Sequence, residues 1–199
     1  MSFPPARARG TTAVLVLLVV SSARAEDAPR LLDEPAASAQ KEAEAALKNL
    51  LKAEYSAAKK ADGAQALAKK LLQYGGAEKS NAGQRYVCFR EARDFAAKAG
   101  DPKTALAAID AMAASFKVDA LEMKRATLDT TRRVTRSATA VGAAAREYAP
   151  LIDGAVAADR YDLAARLAAD FVSAAEKAKL DPLVAEANAR KKEVRDIKA

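Results

Sequence analysis

Paired carboxylates are the residues of this chain whose types and spacing could do acid–base chemistry. Glu91 and Asp94 are three residues apart, which places both on one face of a helix, and Glu42 with Glu44 forms a second pair. Two such groups can share a proton or activate a water molecule. Basic side chains interleave with the first pair, which is typical of a solvated helix face with weak ion pairs. We therefore expect no catalytic residue.

The sequence lacks the residues that most metal and nucleophile chemistry needs. Histidine is absent from all 199 residues, and cysteine occurs once. A catalytic triad with an imidazole base, histidine-ligated zinc and a thiolate metal cage are therefore excluded. The sequence contains neither a glycine-rich phosphate loop nor an acidic calcium loop. We expect a protein that is not an enzyme and that has no cofactor and no metal.

The single cysteine, Cys88, belongs to an apolar stripe with Phe89, Ala92, Phe95 and Ala96. This position favours a core side chain. Without a second cysteine, no internal disulfide can form. The alternative is an intermolecular disulfide.

A basic stretch runs from residue 124 to residue 136. Arg125, Arg132 and Arg136 are spaced by seven and four, so a helix presents them along one side. Such a face could bind an anionic polymer, including envelope polysaccharide. Asp129 can pair with Arg125 or Arg133 across one turn, and no aromatic residue interleaves to stack on bases or sugars. We favour a solvated face, keep the three arginines as candidate anion-binding residues, and expect no nucleic-acid partner.

The elements that must position these residues begin after an export signal. Arg7 and Arg9 precede an apolar run over 13–20, and an Ala-Arg-Ala sequence closes the segment at Ala25. This pattern is typical of a secretory signal peptide, and the apolar run is too short to span a bilayer. We expect cleavage after Ala25, a secreted or periplasmic location, and no membrane span in the mature chain. Cleavage lowers the formal charge from +7 to +4.

Residues 26–35 are acidic, contain proline and lack periodicity, which predicts a flexible leader. From residue 36 onward, apolar residues recur at spacings of three and four, which predicts helices and no strand. The high alanine content also favours helix. We expect one all-α domain over 36–199 with about eight helices, in which Pro150 kinks or breaks the sixth.

Capping residues set the expected helix ends. Five acidic or amide side chains, at positions 62, 81, 101, 119 and 181, are predicted to begin helices. Gly75 with Gly76 is predicted to end the second helix, and Gly100 is predicted to end the third. The apolar stripe of the first helix includes Leu50, and that of the last includes Ile197.

Two of the predicted turns resemble each other. Residues 100–106 align with residues 159–165 at an offset of 59, and the alanines at 105 and 164 coincide. The turn resembles that between the two helices of a tetratricopeptide repeat (TPR). The offset differs from the regular period of about 34 residues. The resemblance implies a TPR-like, right-handed stack of antiparallel helical hairpins.

A second resemblance covers roughly residues 47–194. The residues that carry it are Arg85, Tyr86, Val87, Arg90, Glu91, Ala92, Arg93, Asp94, Ala99, Gly100, Asp101, Ala107, Ala108, Ile109 and Asp110. They are similar to a widespread group of secreted all-helical proteins from planctomycete-type bacteria. The resemblance implies an exported helical domain and carries over no functional residue.

These observations predict a non-enzymatic interaction or scaffold protein that binds a protein partner between its helical hairpins, because stacked hairpins expose long grooves. The alternative is a binder of anionic envelope polymer that uses the basic helix face.

Overall fold

The alanine-rich sequence forms helices from residue 37 onward. The computed structural model describes residues 30–135 and 137–198; the predicted signal peptide, the first residues of the leader and Arg136 lie outside the described residues. Within the described ranges no β-strand is present, and the all-α prediction is confirmed. The residues from Leu31 onward form one compact unit.

Ten helices follow one another in the described residues. They are α1 (Ala37–Leu50), α2 (Lys52–Ala57), α3 (Ala61–Ala77), α4 (Ala82–Ala99), α5 (Pro102–Ala113), α6 (Ala120–Val134), α7 (Ala138–Arg146), α8 (Tyr148–Ala157), α9 (Tyr161–Ala178) and α10 (Asp181–Lys198). The number exceeds eight because the first and sixth predicted helices are each divided. The second division follows from Pro150, which has no N–H to donate to the carbonyl of Arg146 at the end of α7.

Three of the five predicted helix starts are confirmed by side-chain caps. Asn81, Asp101 and Asp119 accept hydrogen bonds from the backbone N–H three residues later, at the starts of α4, α5 and α6. Gly100 ends α4 with φ of 75° in the left-handed region, where glycine has no steric penalty.

Two predicted signals were wrong. Asp62 does not cap α3, which begins one residue earlier, after Lys60, with no side-chain cap. Gly75 and Gly76 do not end this helix, which continues to Ala77, and neither has positive φ. Gly75 instead faces Phe89, and a Cβ atom there would lie 2.6 Å from Phe89 Cε1. The close approach of α3 to α4 explains this glycine.

The repeated turn has the same geometry at both of its occurrences. Asp101 N–H donates to Ala96 O, and Arg160 N–H donates to Ala155 O, each spanning the end of a helix. Gly100 and Asp159 occupy equivalent positions, with φ of 75° and 54°. The local likeness of the two turns is therefore present in the structure, whereas a TPR-like stack of the whole domain stays a prediction.

The predicted apolar faces supply most of the core. The side chains predicted for α5 (Ala105, Ile109 and Met112, with Phe116 just after it) are fully buried, and so is Phe171 of α9. The positions assigned to Leu50 and Ile197 were wrong, because these side chains at the ends of α1 and α10 are 67% and 49% exposed.

The end of the predicted leader is attached to the domain. Leu32 N–H donates to Ser115 O at 2.9 Å, and Lys117 N–H donates to Leu32 O at 2.8 Å. Lys117 Nζ also pairs with Asp33 Oδ1 at 2.8 Å. Residues 31–35 therefore belong to the folded unit rather than to a flexible leader, because the N–H and C=O groups of Leu32 are hydrogen-bonded to the segment between α5 and α6.

Candidate functional site

Helices α4 and α6 lie side by side, with α5 packed against both. Their C-terminal ends meet, since Thr135 Oγ1 lies 3.5 Å from where a Cβ atom on Gly100 would be. The two helices therefore run in the same direction. Between them the surface forms an open groove of about 320 Å³, which we call the α4–α6 groove.

The α4–α6 groove combines apolar and polar side chains from these two helices. Its lining residues are Arg93, Asp94, Ala97, Lys98, Met123, Ala126, Thr127 and Thr130. The apolar surface comes from Ala97, Met123 and Ala126. Small side chains keep this floor open, because a longer residue at Ala97 or Ala126 would fill it.

The charges of this groove are incompletely paired within the protein. Arg93 binds Asp94 Oδ1 at 2.8 Å through both Nε and Nη2. Lys98 has no carboxylate partner among the described residues, and its ammonium lies 5.7 Å from the centre of the Phe95 ring. A cation that interacts only with an aromatic ring remains able to bind a carboxylate.

Two other surface grooves among the described residues each contain a cation that pairs with a carboxylate. A groove of about 410 Å³ contains Lys124, which pairs with Asp110 at 2.6 Å. A groove of about 200 Å³ beside α10 contains Arg190, which pairs with Asp153 at 3.0 Å. The first of these grooves also contains Lys103, which, like Lys98, has no ion pair among the described residues.

Two of the three candidate anion-binding arginines, Arg125 and Arg132, lie on α6 and face α9, whereas Arg136 lies outside the described residues. Arg125 pairs with Asp170 Oδ2 at 3.0 Å and with Glu122 Oε2 at 3.2 Å. Arg132 pairs with Asp129 Oδ1 at 2.6 Å and donates to Ser173 Oγ at 2.8 Å. Their side chains are 29% and 19% exposed. Arg125 and Arg132 are therefore engaged between helices.

Asp129 pairs with a second arginine, Arg133, at 2.7 Å. Burial tends to raise the pKa of the Asp129 carboxyl, but the bonds from Arg132 and Arg133 outweigh burial and lower this pKa. The predicted pairing with Arg133 is confirmed. Arg125 forms its ion pairs with Glu122 and Asp170 instead of Asp129.

The acidic pair Glu91 and Asp94 is not a solvated pair, which corrects that prediction. Glu91 is only 8% exposed, and its Oε2 accepts a hydrogen bond of 2.5 Å from Tyr55 Oη. Burial, together with this hydrogen bond, raises the pKa of Tyr55. Glu91 thus connects α4 to α2, while Asp94 lies in the α4–α6 groove.

The second acidic pair is also divided between environments. Glu44 binds Arg90 Nη2 at 2.6 Å and also pairs with Lys48, whereas Glu42 is exposed. Neither predicted pair brings two free carboxylates together. Among the described residues, no group of three or more carboxylate or thiol side chains is placed to hold a metal ion.

Cys88 is a core residue, as predicted. Its side chain is fully buried, and burial raises the pKa of its thiol to about 12. A buried thiol with a raised pKa is a weak nucleophile, because the thiolate is the reactive form.

Comparison with protein-family models, with curated proteins and with solved structures finds no match to this chain. In the part of the chain that the structure describes, no helix is both long and apolar enough to cross a membrane.

Among the residues that line the α4–α6 groove, only Asp94 was considered as a functional residue from the sequence. Met123, Ala126, Thr127 and Thr130 recur at helical spacing, which marks one face of α6. No local signal shows that this face lies beside α4, because the contact depends on how α5 folds back between the two helices.

Proposed function

We propose that this chain is an exported, non-enzymatic helical protein that binds a protein partner in the α4–α6 groove. The groove itself carries the proposal, because an apolar floor lies next to the unpaired Lys98. A partner segment with an aliphatic side chain and a carboxylate fits this combination. The aliphatic group would cover Met123 and Ala126, and the carboxylate would bind Lys98.

The surface beyond the groove supports a partner of this chemistry. Arg133 and Val134 follow Thr130 by three and four residues, and therefore lie on the same side of α6. The Arg133 side chain is 74% exposed and shares Asp129 with Arg132, and Val134 is also exposed. An acidic and apolar segment could therefore extend from the groove along the end of α6.

Export is proposed from the pattern of residues 1–25, and it decides where the partner is sought. The test uses the mature chain, immobilised and exposed to the exported and envelope fractions of the source cells. Ala126→Glu fills the groove and adds a negative charge, and Lys98→Glu reverses the unpaired cation. Both positions are exposed, so both variants should fold.

Matched controls make the same changes on α10, outside the groove, as Ala185→Glu and Lys191→Glu. We expect both groove variants to capture at least about tenfold less of the partner, whereas the controls capture the normal amount. Equal capture by all four variants would show that the α4–α6 groove is not the binding site.

A further inference from the structure

The first part of the described chain contributes few buried side chains to the domain. Residues 31–34 are exposed, and α1 buries only Ala43 and Leu47 among its 14 residues. None of the six residues of α2 is buried, and Leu51 between the two helices adds one more buried side chain. By contrast, α9 buries eight of its 18 residues. We call residues 31–58 the N-terminal flap.

The apolar side chains of the N-terminal flap cover part of α3 and α4. Ala43, Leu47 and Leu51 belong to one buried cluster with side chains of these two helices. Those side chains are Leu67, Leu71, Val87, Cys88 and Ala92. Helix α1 packs on α4, and α2 packs on α3. The flap thus lies on the outside of two helices that pack closely on each other.

Two adjacent residues of α4 hold both helices of the flap through polar contacts. Arg90 binds α1, since its Nη1 donates to Gln40 Oε1 at 2.8 Å and its Nη2 donates to Glu44 Oε2 at 2.6 Å. Glu91 binds α2 by accepting the hydrogen bond from Tyr55. The side chains of Arg90 and Glu91 are only 24% and 11% exposed.

The contacts of Arg90 extend to the residues before α1. Gln40, which accepts from Arg90, also donates through its Nε2 to Pro35 O at 2.8 Å and to Glu34 Oε1 at 3.1 Å. One guanidinium therefore connects α4 with α1 and, through Gln40, with the segment that precedes α1.

The other polar attachments of the flap are more exposed. Lys117 pairs with Asp33, whose side chain is 85% exposed, and Lys70 pairs with Glu54, whose side chain is 35% exposed. Exposed pairs contribute little to stability, because water screens them. Besides the two backbone hydrogen bonds of Leu32, the partly buried contacts made by α4 therefore dominate the polar attachment of the flap.

We propose that the N-terminal flap opens from α3 and α4 as one unit, and that the contacts of Arg90 and Glu91 set how often it opens. Segments with few buried apolar contacts open at a lower free energy than the whole domain. The parts of the flap open together because two adjacent residues hold them. Opening uncovers the apolar cluster on α3 and α4, including the thiol of Cys88.

Amide hydrogen exchange of the mature chain, followed by mass spectrometry, tests the proposal. We expect the hydrogen-bonded amides of α1 and α2 to exchange faster than those of α9, with similar protection in α1 and α2. Arg90→Gln removes the ion pair with Glu44 and should speed exchange in the flap by about tenfold or more, without changing exchange in α9. Equal protection of the flap and α9 in the unmodified chain would overturn the proposal.

Tyr55→Phe tests whether the flap opens as one unit. The variant keeps the ring and removes only the hydroxyl that binds Glu91, so its direct effect is on α2. If the flap opens as one unit, exchange becomes faster in α1 and α2 by the same factor. Faster exchange in α2 alone would show that the two helices open separately, and would contradict the proposal.

Ile152→Val provides the matched control. Ile152 is buried in a different apolar cluster, which contains no residue of the flap. Loss of a methyl group there should lower the urea midpoint of the whole protein but leave exchange in the flap unchanged. If Ile152→Val speeds exchange in the flap as much as Arg90→Gln does, these amides exchange through global unfolding, and an independent flap is excluded.

The thiol of Cys88 reports whether the cluster beneath the flap is uncovered. Because the chain has one cysteine, a thiol reagent gives the rate of modification at a single site. We expect Arg90→Gln to speed modification by the same factor as exchange in α1, and Ile152→Val to leave it unchanged. Modification that occurs only when the whole protein unfolds in urea would contradict the proposal. These rates are measured without a partner, so the flap and the α4–α6 groove can fail separately.

Discussion

Glu91 shows how a single contact changes the role of a residue. Its spacing from Asp94 and its basic neighbours are typical of a surface position, yet Tyr55 Oη donates to it at 2.5 Å in a largely buried site. Tyr55 also packs edge-on against Phe95, with the ring centroids 5.6 Å apart. Because α2 has no buried residue of its own, these contacts hold it against α4.

Replacing Glu91 therefore tests whether this carboxylate is structural. We expect Glu91→Gln to lower the free energy of unfolding by about 1–2 kcal/mol, because a buried charge-assisted hydrogen bond is weakened. Urea unfolding followed by circular dichroism measures the change. The matched variant Asp94→Asn, at a side chain 46% exposed, should stay within about 0.5 kcal/mol of the unmodified chain. Equal effects at the two positions would contradict this assignment.

At the scale of helices, local signals and long-range packing make different contributions. The caps Asn81, Asp101 and Asp119 could be predicted because each depends on residues within one turn. The two glycines of α3 were misassigned because the decisive neighbour, Phe89, lies on another helix. Leu50 and Ile197 were misassigned for the same reason, since periodicity marks a face but does not show where the partner helix ends.

The adjacent glycines of α3 provide a matched pair of alanine substitutions. At Gly75 the added methyl group would overlap Phe89, and we expect a loss of about 1–3 kcal/mol in the free energy of unfolding. At Gly76 no atom lies within 4 Å of the new Cβ, and alanine should add up to about 1 kcal/mol by its helix propensity. Thermal unfolding of both variants measures the difference. If Gly75→Ala is also stabilising, the close packing of α3 on α4 is wrong.

For the whole molecule, the absence of histidine determines the pH range in which stability is constant. No side chain type in the sequence ordinarily titrates between about pH 5 and 8. Asp119 and Glu44 are among the carboxyls with a lowered pKa. A hydrogen bond from Arg160 lowers the pKa of Asp119, and a hydrogen bond from Lys48 lowers the pKa of Glu44. A carboxyl whose pKa is lower in the folded state stabilises the protein at pH values above its unfolded-state pKa. This contribution is lost as the pH falls through its folded-state pKa.

We expect the melting temperature to be constant from about pH 5.5 to 8 and to fall below about pH 4, where these carboxylates become protonated. Calorimetry across this range measures it. Asp119→Asn keeps a good helix cap but removes the charge, and should reduce the fall in acid. A transition centred between pH 6 and 7 would contradict the prediction.

The fold class and most helix ends could be predicted from the sequence because alanine content, apolar spacing and caps all favour helix. The candidate site could not, because the α4–α6 groove joins residues about 30 positions apart through a packing arrangement that no local pattern encodes. Conversely, the basic stretch from residue 124 to residue 136 could be identified from the sequence, but the partners of its arginines could not. Asp170 and Ser173, which bind Arg125 and Arg132, lie on α9.

Site-specific photocrosslinking in the source cells tests the central claim most directly. A photoreactive residue at position 126 lies in the α4–α6 groove, and the same residue at position 185 on α10 lies outside it. We expect a discrete crosslinked product with another exported protein from position 126, its loss when Lys98→Glu is added, and no such product from position 185. Equal crosslinking from both positions, or none from position 126, would contradict a binding function for this groove.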